Sequence, residues 1–178
     1  MNRKYNTRII KKKITKLSKW VTLVKKTVIY KKKKLNFHAF KVHDYIAILA
    51  KTTDGKFAIV KQYRPVHEKF LWELPGGIVD KKKPLKKIAI DEVKEETGLI
   101  VIKIKKLKSC YSDTGRLINK IHFYYADCRQ PKKTYIEKGI KVKFVNYLEL
   151  ISMIKGGSFS YHLHLAAILL AKINNIKL

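Results

Sequence analysis

Pro75-Gly76-Gly77-Ile78-Val79-Asp80-Lys81-Lys82-Lys83-Pro84-Leu85-Lys86-Lys87-Ile88-Ala89-Ile90-Asp91-Glu92-Val93-Lys94-Glu95-Glu96-Thr97-Gly98-Leu99 is the most informative stretch of this chain. Leu85, Ile88, Ala89 and Val93 recur at three and four residues, Pro84 stands where a helix opens and Gly98 where one stops. The spacing predicts one helix of about 14 residues, preceded at Pro75-Gly76-Gly77 by irregular backbone. Four of the chain's 13 acids, Asp91, Glu92, Glu95 and Glu96, fall within six consecutive residues of that helix. Glu92, Glu95 and Glu96 are three and four positions apart, so they are expected to share one face and one end, close enough to repel one another. Such hard oxygens suit Mg²⁺ or Mn²⁺, ions that keep several waters and complete their shell from phosphate oxygens. The alternative is a solvated face whose acids pair with Lys86, Lys87 and Lys94, but pairing alone does not require the neighbouring glycines.

Outward from this stretch, residues 45–50 and 57–63 are apolar runs joined across Thr53-Asp54-Gly55, which predicts a β-hairpin. Strands are expected around 99–110, 119–127 and 140–147, and helices over 148–155 and 161–174. Trp20 to Tyr30 also reads as a strand, with folded structure expected from about residue 18. Strands punctuated by isolated helices indicate an α+β or mixed α/β layer fold. His162 and His164, alternating near a helix start, are expected at the surface.

The 178 residues fit one domain, and 46% hydrophobic residues suffice for a core. A net charge of +28 excludes an acidic enzyme surface and invites a polyanionic partner. Only five of the 41 basic residues are Arg, whereas nucleic-acid surfaces draw heavily on the Arg fork, so compositional bias toward Lys stands beside that reading. Residues 1–43 hold 15 of the bases and no acid. Cys110 and Cys128 have neither metal-ligand nor disulfide-framework spacing, and a reducing, cytoplasmic setting is expected. No uncharged run approaches the roughly 20 residues of a membrane span, and the N-terminus has no apolar signal core, so no membrane partner is expected.

Gly77, five residues, Lys83, seven residues, then Asp91-Glu92-Val93-Lys94-Glu95-Glu96-Thr97-Gly98-Leu99 resembles the box of the Nudix hydrolases. That box runs Gly, five residues, Glu, seven residues, Arg-Glu-apolar-any-Glu-Glu-any-Gly-apolar. Lys61-Gln62-Tyr63-Arg64-Pro65, Trp72-Glu73-Leu74-Pro75-Gly76-Gly77 and Leu165 to Ala171 resemble the branch that splits ADP-ribose and nucleoside diphosphate sugars. The resemblance spans roughly residues 18 to 174. It implies an α/β (α+β) Nudix fold, a mixed β-sheet sandwiched between helices with N-terminal antiparallel strands. It also implies two parts, a basic segment with strands over 1–42 that serves dimerisation and a hydrolase domain over 43–178.

The activity implied is metal-dependent hydrolysis of a diphosphate linkage, giving a nucleoside monophosphate and a sugar phosphate. By the same resemblance, Glu92, Glu96 and the Gly76 carbonyl hold the divalent metal, Mg²⁺ or Mn²⁺, and Glu95 adds a ligand or polarises water. Arg64 contacts substrate, with a plain surface Arg at a strand end as the alternative; Trp20 stacks on a base across a homodimer, with core packing as the alternative; and Glu137 assists the attacking water. Asp113 meets a ribose and Arg116 a phosphate, with a plain turn at Asp113-Thr114-Gly115 as the alternative. Two box positions depart from the pattern: its first Glu is Lys83 and its Arg is Asp91. The reversed pair is expected to bridge loop and helix with inverted polarity, while loss of the first Glu removes a ligand and weakens metal affinity. Two other readings accompany this one: a Nudix fold reused as a basic RNA-binding or ribosome-associated component, and hydrolysis of capped RNA or a dinucleotide polyphosphate.

Overall fold

The computed structural model describes residues 7–80, 82–132 and 135–178, so the first six residues of the expected N-terminal segment lie outside it. The chain forms two units, Met1–His43 with Tyr111–Lys120, and Asp44–Cys110 with Ile121–Leu178. The 111–120 segment therefore joins the N-terminal strands, which a division at 42/43 does not foresee.

The first unit is a three-stranded antiparallel sheet of β1 (Arg8–Lys16), β2 (Thr22–Tyr30) and β3 (Lys33–Lys41), with β2 central. Regular structure thus begins ten residues before the expected point, at residue 8 instead of 18. A bulge at Ile10 explains why alternation does not betray β1: it shifts the register so that Ile9 opposes Val28 and Ile14 opposes Val24 on one face. Strand β3 was equally hidden. The β2–β3 turn is made by Lys31 and Lys32, both at positive φ (47° and 64°), where Asn-Gly would be the readable signal.

The second unit holds a mixed sheet in the order β10 (Lys141–Val145), β5 (Phe57–Arg64), β4 (Tyr45–Thr52), β9 (Lys120–Arg129), β8 (Ile100–Tyr111). Two short strands flank it, β6 (Lys69–Glu73) beside β5 and β7 (Gly76–Ile78) beside β4. Strand β4 runs parallel to β9 and antiparallel to β5 and β7. Residues 46–50 are wholly buried because helices cover both faces. Ile46, Ile48 and Ala50 pack with Ile88, Ala89 and Val93 of α1 (Leu85–Thr97), while Ala47 and Leu49 pack with Leu150 of α2 (Tyr147–Lys155) and Ala167 and Ala171 of α3 (His162–Ile173). This is the expected sandwich of a mixed sheet between helices. Among the described residues no helix is long and apolar enough to cross a membrane.

Helix α1 ends where the sequence placed its stop. Gly98 adopts φ 69°, and its N–H donates to the Lys94 carbonyl at 2.9 Å. Helix α2 opens on a capping box in which Asn146 and Glu149 exchange hydrogen bonds at 2.8 Å. The Pro75-Gly76-Gly77 segment, expected to be irregular, instead adds β7 to the sheet. A Cβ at Gly76 would lie 2.1 Å from the Ile46 carbonyl oxygen, so only glycine lets the two strands approach.

Candidate active site

Strand β7 and helix α1 build the site together. Gly76 faces Ala47, and the flanking backbone bonds, Ile48 N–H to Pro75 O at 2.9 Å and Val79 N–H to Asp44 O at 2.8 Å, make 47 and 76 a pair that exchanges no hydrogen bond. The N–H and carbonyl of Gly76 therefore point away from β4. The N–H is taken by Glu96 Oε2 at 2.8 Å, and Glu96 Oε1 accepts from the Gln62 side-chain amide on β5. One turn earlier, Glu92 lays its carboxyl against Gly77, where a Cβ would meet Oε2 at 2.7 Å. Both glycines are thus required by close approach.

Burial pushes the Glu96 carboxyl up to about 8; the Gly76 hydrogen bond opposes that shift and the neighbouring charge of Glu92 adds to it. An acid so placed is strained toward either a proton or a cation. Glu95, in contrast, is exposed, and the expected convergence of three carboxylates does not occur. At 100° per residue Glu96 stands 40° from Glu92, but Glu95 stands 60° to its other side. Among the described residues no group of three Asp, Glu, His or Cys side chains forms a ready-made cation cage.

Other predicted residues divide by unit. The Glu137 N–H donates to the Glu95 carbonyl at 3.0 Å, so its loop docks on the end of α1 with an exposed side chain. Arg64 is held by Glu73, its Nε donating to Oε1 at 2.9 Å and its Nη2 to Oε2. This buried carboxylate with its bidentate partner floors a cleft of about 690 Å³ lined also by Tyr45, Trp72, Tyr161 and His162. The Tyr45 hydroxyl is buried there without a hydrogen-bond partner among the described residues, and burial, then the charges of Glu73 and Glu96, raise its pKa. Trp20, Asp113 and Arg116 belong to the first unit. Trp20 meets the His43 ring edge-on at 5.8 Å, with Lys19 Nζ over its face at 4.7 Å. Asp113 makes the turn that its sequence allowed, Oδ1 accepting the backbone N–H groups of Gly115, Arg116 and Leu117.

The two departures from the box meet. Lys83 Nζ lies 3.0 Å from Asp91 Oδ2, with Lys87 Nζ 3.7 Å from the other oxygen, so the inverted charges bridge loop and helix.

One expectation is overturned. His164 is fully buried, not at the surface, because α3 turns that side of its first turn onto the sheet. Its Nδ1 accepts from the Leu74 N–H at 2.9 Å, immediately before the Pro75-Gly76 strap. Burial, aided by the charges of Arg64 and His162, holds its pKa down to about 3, so the ring is neutral with its proton on Nε2. Gln62, Glu73 and His164 are the supporting residues that sequence reasoning left without a role. Gln62 and Glu73 stood inside motifs already singled out, whereas nothing local marked His164.

A family model described as the NUDIX domain matches residues 41–158. The chain is similar to an ADP-ribose pyrophosphatase of Bacillus subtilis (strain 168), 33% identical over 82 residues, covering 46% of this chain and 44% of that protein. It is similar to a methanol dehydrogenase activator of Bacillus methanolicus to the same 33% over 81 residues, again 46% of this chain and 44% of the relative. This chain thus spans less than half the length of these curated relatives. A crystal structure of an ADP compounds hydrolase superposes with a TM-score of 0.78 over 93% of this chain and 92% of that one; at 13% identity it speaks for the fold alone. With the family model covering well over half of its residues and the box carried by β7, the loop after it and α1, the chain belongs to the Nudix family.

Proposed function

We propose that this protein is a divalent-metal-dependent pyrophosphohydrolase that cleaves the diphosphate of ADP-ribose or a related nucleoside diphosphate sugar, releasing a nucleoside monophosphate and a sugar phosphate. The observation that carries the reading is the pairing of Glu92 and Glu96 against Gly77 and Gly76. Two carboxylates and an outward-facing carbonyl fit a hard cation that draws its remaining oxygens from water and substrate phosphates, as Mg²⁺ or Mn²⁺ does. When bound, such an ion supplies charge neutralisation of the diphosphate and a lowered pKa for attached water.

The chain's own residues do the rest. Glu92, Glu96 and the Gly76 carbonyl would hold the ion. Glu95 and Glu137, whose backbones meet at 3.0 Å, would accept the proton as a water oxygen attacks phosphorus and the anhydride oxygen departs with the other phosphate. Arg64, oriented by Glu73, would bind a phosphate from the cleft. Trp20 for a base, Asp113 through Oδ2 for a ribose hydroxyl and Arg116 for a phosphate complete the proposed contacts. A homodimer joined through the strands of residues 1–42 is part of this reading, and a reducing cytoplasm accords with the free Cys110 and Cys128.

The test is release of AMP from ADP-ribose with Mg²⁺ or Mn²⁺. Turnover that disappears on chelation and in Glu96→Gln supports the proposal. No turnover across a panel of nucleoside diphosphate sugars with either ion refutes it.

A further inference from the structure

We propose that one face of the three-stranded sheet, carrying Arg8, Lys11, Lys13, Lys25, Lys34 and His38, binds a single-stranded polynucleotide along its phosphodiester backbone. The proposal does not rest on the hydrolase reading. It begins from how charge is divided. Residues 1–43 and 111–120 hold 17 of the 41 Lys and Arg but one of the 13 Asp and Glu; the remaining 125 residues hold 24 and 12. A genome-wide drift toward Lys would act on both units alike, and it does not produce 17 to one beside two to one. The single acid, Asp113, spends Oδ1 on its own turn.

Register then shows where the charge sits. Lys13 opposes Lys25, which opposes His38, so three cationic or titratable groups cross the sheet in one row on this face. On the reverse face the next row sets Lys12 opposite Lys26, with Phe37 as its third member. Like charges directly opposite each other destabilise a sheet, and this unit carries a single acid to offset them, so a bound polyanion would stabilise it. The two faces differ in what surrounds the charge. The reverse face exposes Ile9 (55%), Ile14 (61%) and Phe37 (51%). The proposed face instead centres on Thr27, whose Oγ1 donates to Asn36 Oδ1 at 2.9 Å, and presents two rings on β3, His38 and the 38% exposed Phe40.

Cations across all three strands beside two rings on β3 suit one kind of anion. Same-face residues along β1 stand about 6.7 Å apart, a spacing on which successive phosphates can be tracked, while bases stack on rings without sequence preference. A membrane surface would favour the reverse face, where the more exposed Ile9, Ile14 and Phe37 stand among Lys12 and Lys26.

The experiment measures fluorescence anisotropy of labelled single-stranded RNA and DNA of about 15 nucleotides against the full chain, across salt from about 50 to 200 mM. The combined variant Lys11→Gln, Lys13→Gln, Lys25→Gln is expected to weaken binding at least tenfold and to lower the salt slope by about 2, at roughly 0.7 per lost contact. Removing as many charges from β8 of the other unit, by Lys103→Gln, Lys105→Gln, Lys108→Gln, should leave affinity within about twofold. Arg at positions 11, 13 and 25 should restore binding, which separates lost charge from lost folding. Preference between the RNA and DNA probes assigns the natural strand. Equal losses in the two Gln triples, or failure of Arg to restore binding, would overturn the proposal. So would stronger capture by phosphatidylserine vesicles than by either oligonucleotide.

Discussion

The two units of this chain treat charge in opposite ways. In the larger one the scarce acids are placed against specific partners: Glu73 against Arg64, Asp91 against Lys83, Asp44 against His122 at 3.1 Å, Glu96 against Gly76 and Gln62. In the smaller one, lysines stand opposite lysines across two adjacent rows. A composition that drifted uniformly would leave the acids of the larger unit scattered as well. The acids of the larger unit instead sit at specific contacts, so charge is matched locally there and left unmatched along the strands of the smaller one.

That contrast can be broken most directly at Glu96. Replacing it with Gln removes the anion but keeps the shape and an acceptor for the Gly76 N–H, with the Gln62 amide turned to accept from the new NH2, so ADP-ribose turnover should fall by about 10³, or roughly 4 kcal/mol of transition-state stabilisation. Thermal stability without metal should not fall, since burial already disfavours the charged form. Turnover within about tenfold of the parent would show that the paired acids are structural only.

A smaller effect is expected at His164, where the sign follows from a folded pKa of about 3 beneath an unfolded value near 6.5. Between these values the unfolded chain binds more protons, so this group's contribution is complete above about 6.5 and is lost as pH falls toward 3, by about 1.4 kcal/mol per pH unit. Urea unfolding at pH 7 and pH 4.5 should therefore show roughly 2–3 kcal/mol less acid loss in His164→Gln than in the parent. An unchanged acid slope would mean that the Leu74 contact is not maintained in solution.

Next in size is Glu73→Gln, which leaves Arg64 facing a neutral group. About 2 kcal/mol of stability should be lost, less than for a fully buried pair because the Arg64 side chain is 35% exposed. Arg64→Met combined with Glu73→Gln should recover part of it. Additive losses in that cycle would deny the coupling.

Smallest is the inverted pair. Lys83→Glu and Asp91→Arg should each cost a few tenths of a kcal/mol, and the two together should recover about 0.5 kcal/mol of coupling, the modest worth of an exposed bridge. Zero coupling would reduce the reversal to chance.

Much of the larger unit was legible because its signals are local. The hairpin at Thr53-Asp54-Gly55, the period of α1 and the Gly98 stop all depend on neighbours within a few residues, and they appear in the structure within a residue or two. The smaller unit hid two of its three strands for equally local reasons: a bulge at Ile10 breaks the alternation, and a Lys31-Lys32 turn carries no glycine or asparagine. At the site, helical spacing put three glutamates near one another but did not tell which two would face the strap. That depended on how α1 rolls against β4, which Ile88, Ala89 and Val93 settle by burial. His164 was misread because a His-x-His pattern near a helix start looks the same whether its face meets water or a sheet.

From sequence alone follow the family box, the helix that bears it and the excess of positive charge, since each is written in spacing or composition. The tertiary structure alone decided that Glu96 would be buried on a backbone N–H, that Gln62, Glu73 and His164 would brace the strap, and that lysines would align in rows. Those outcomes depend on contacts between residues 9 to 90 positions apart, where burial and strand register, rather than local preference, choose the partner.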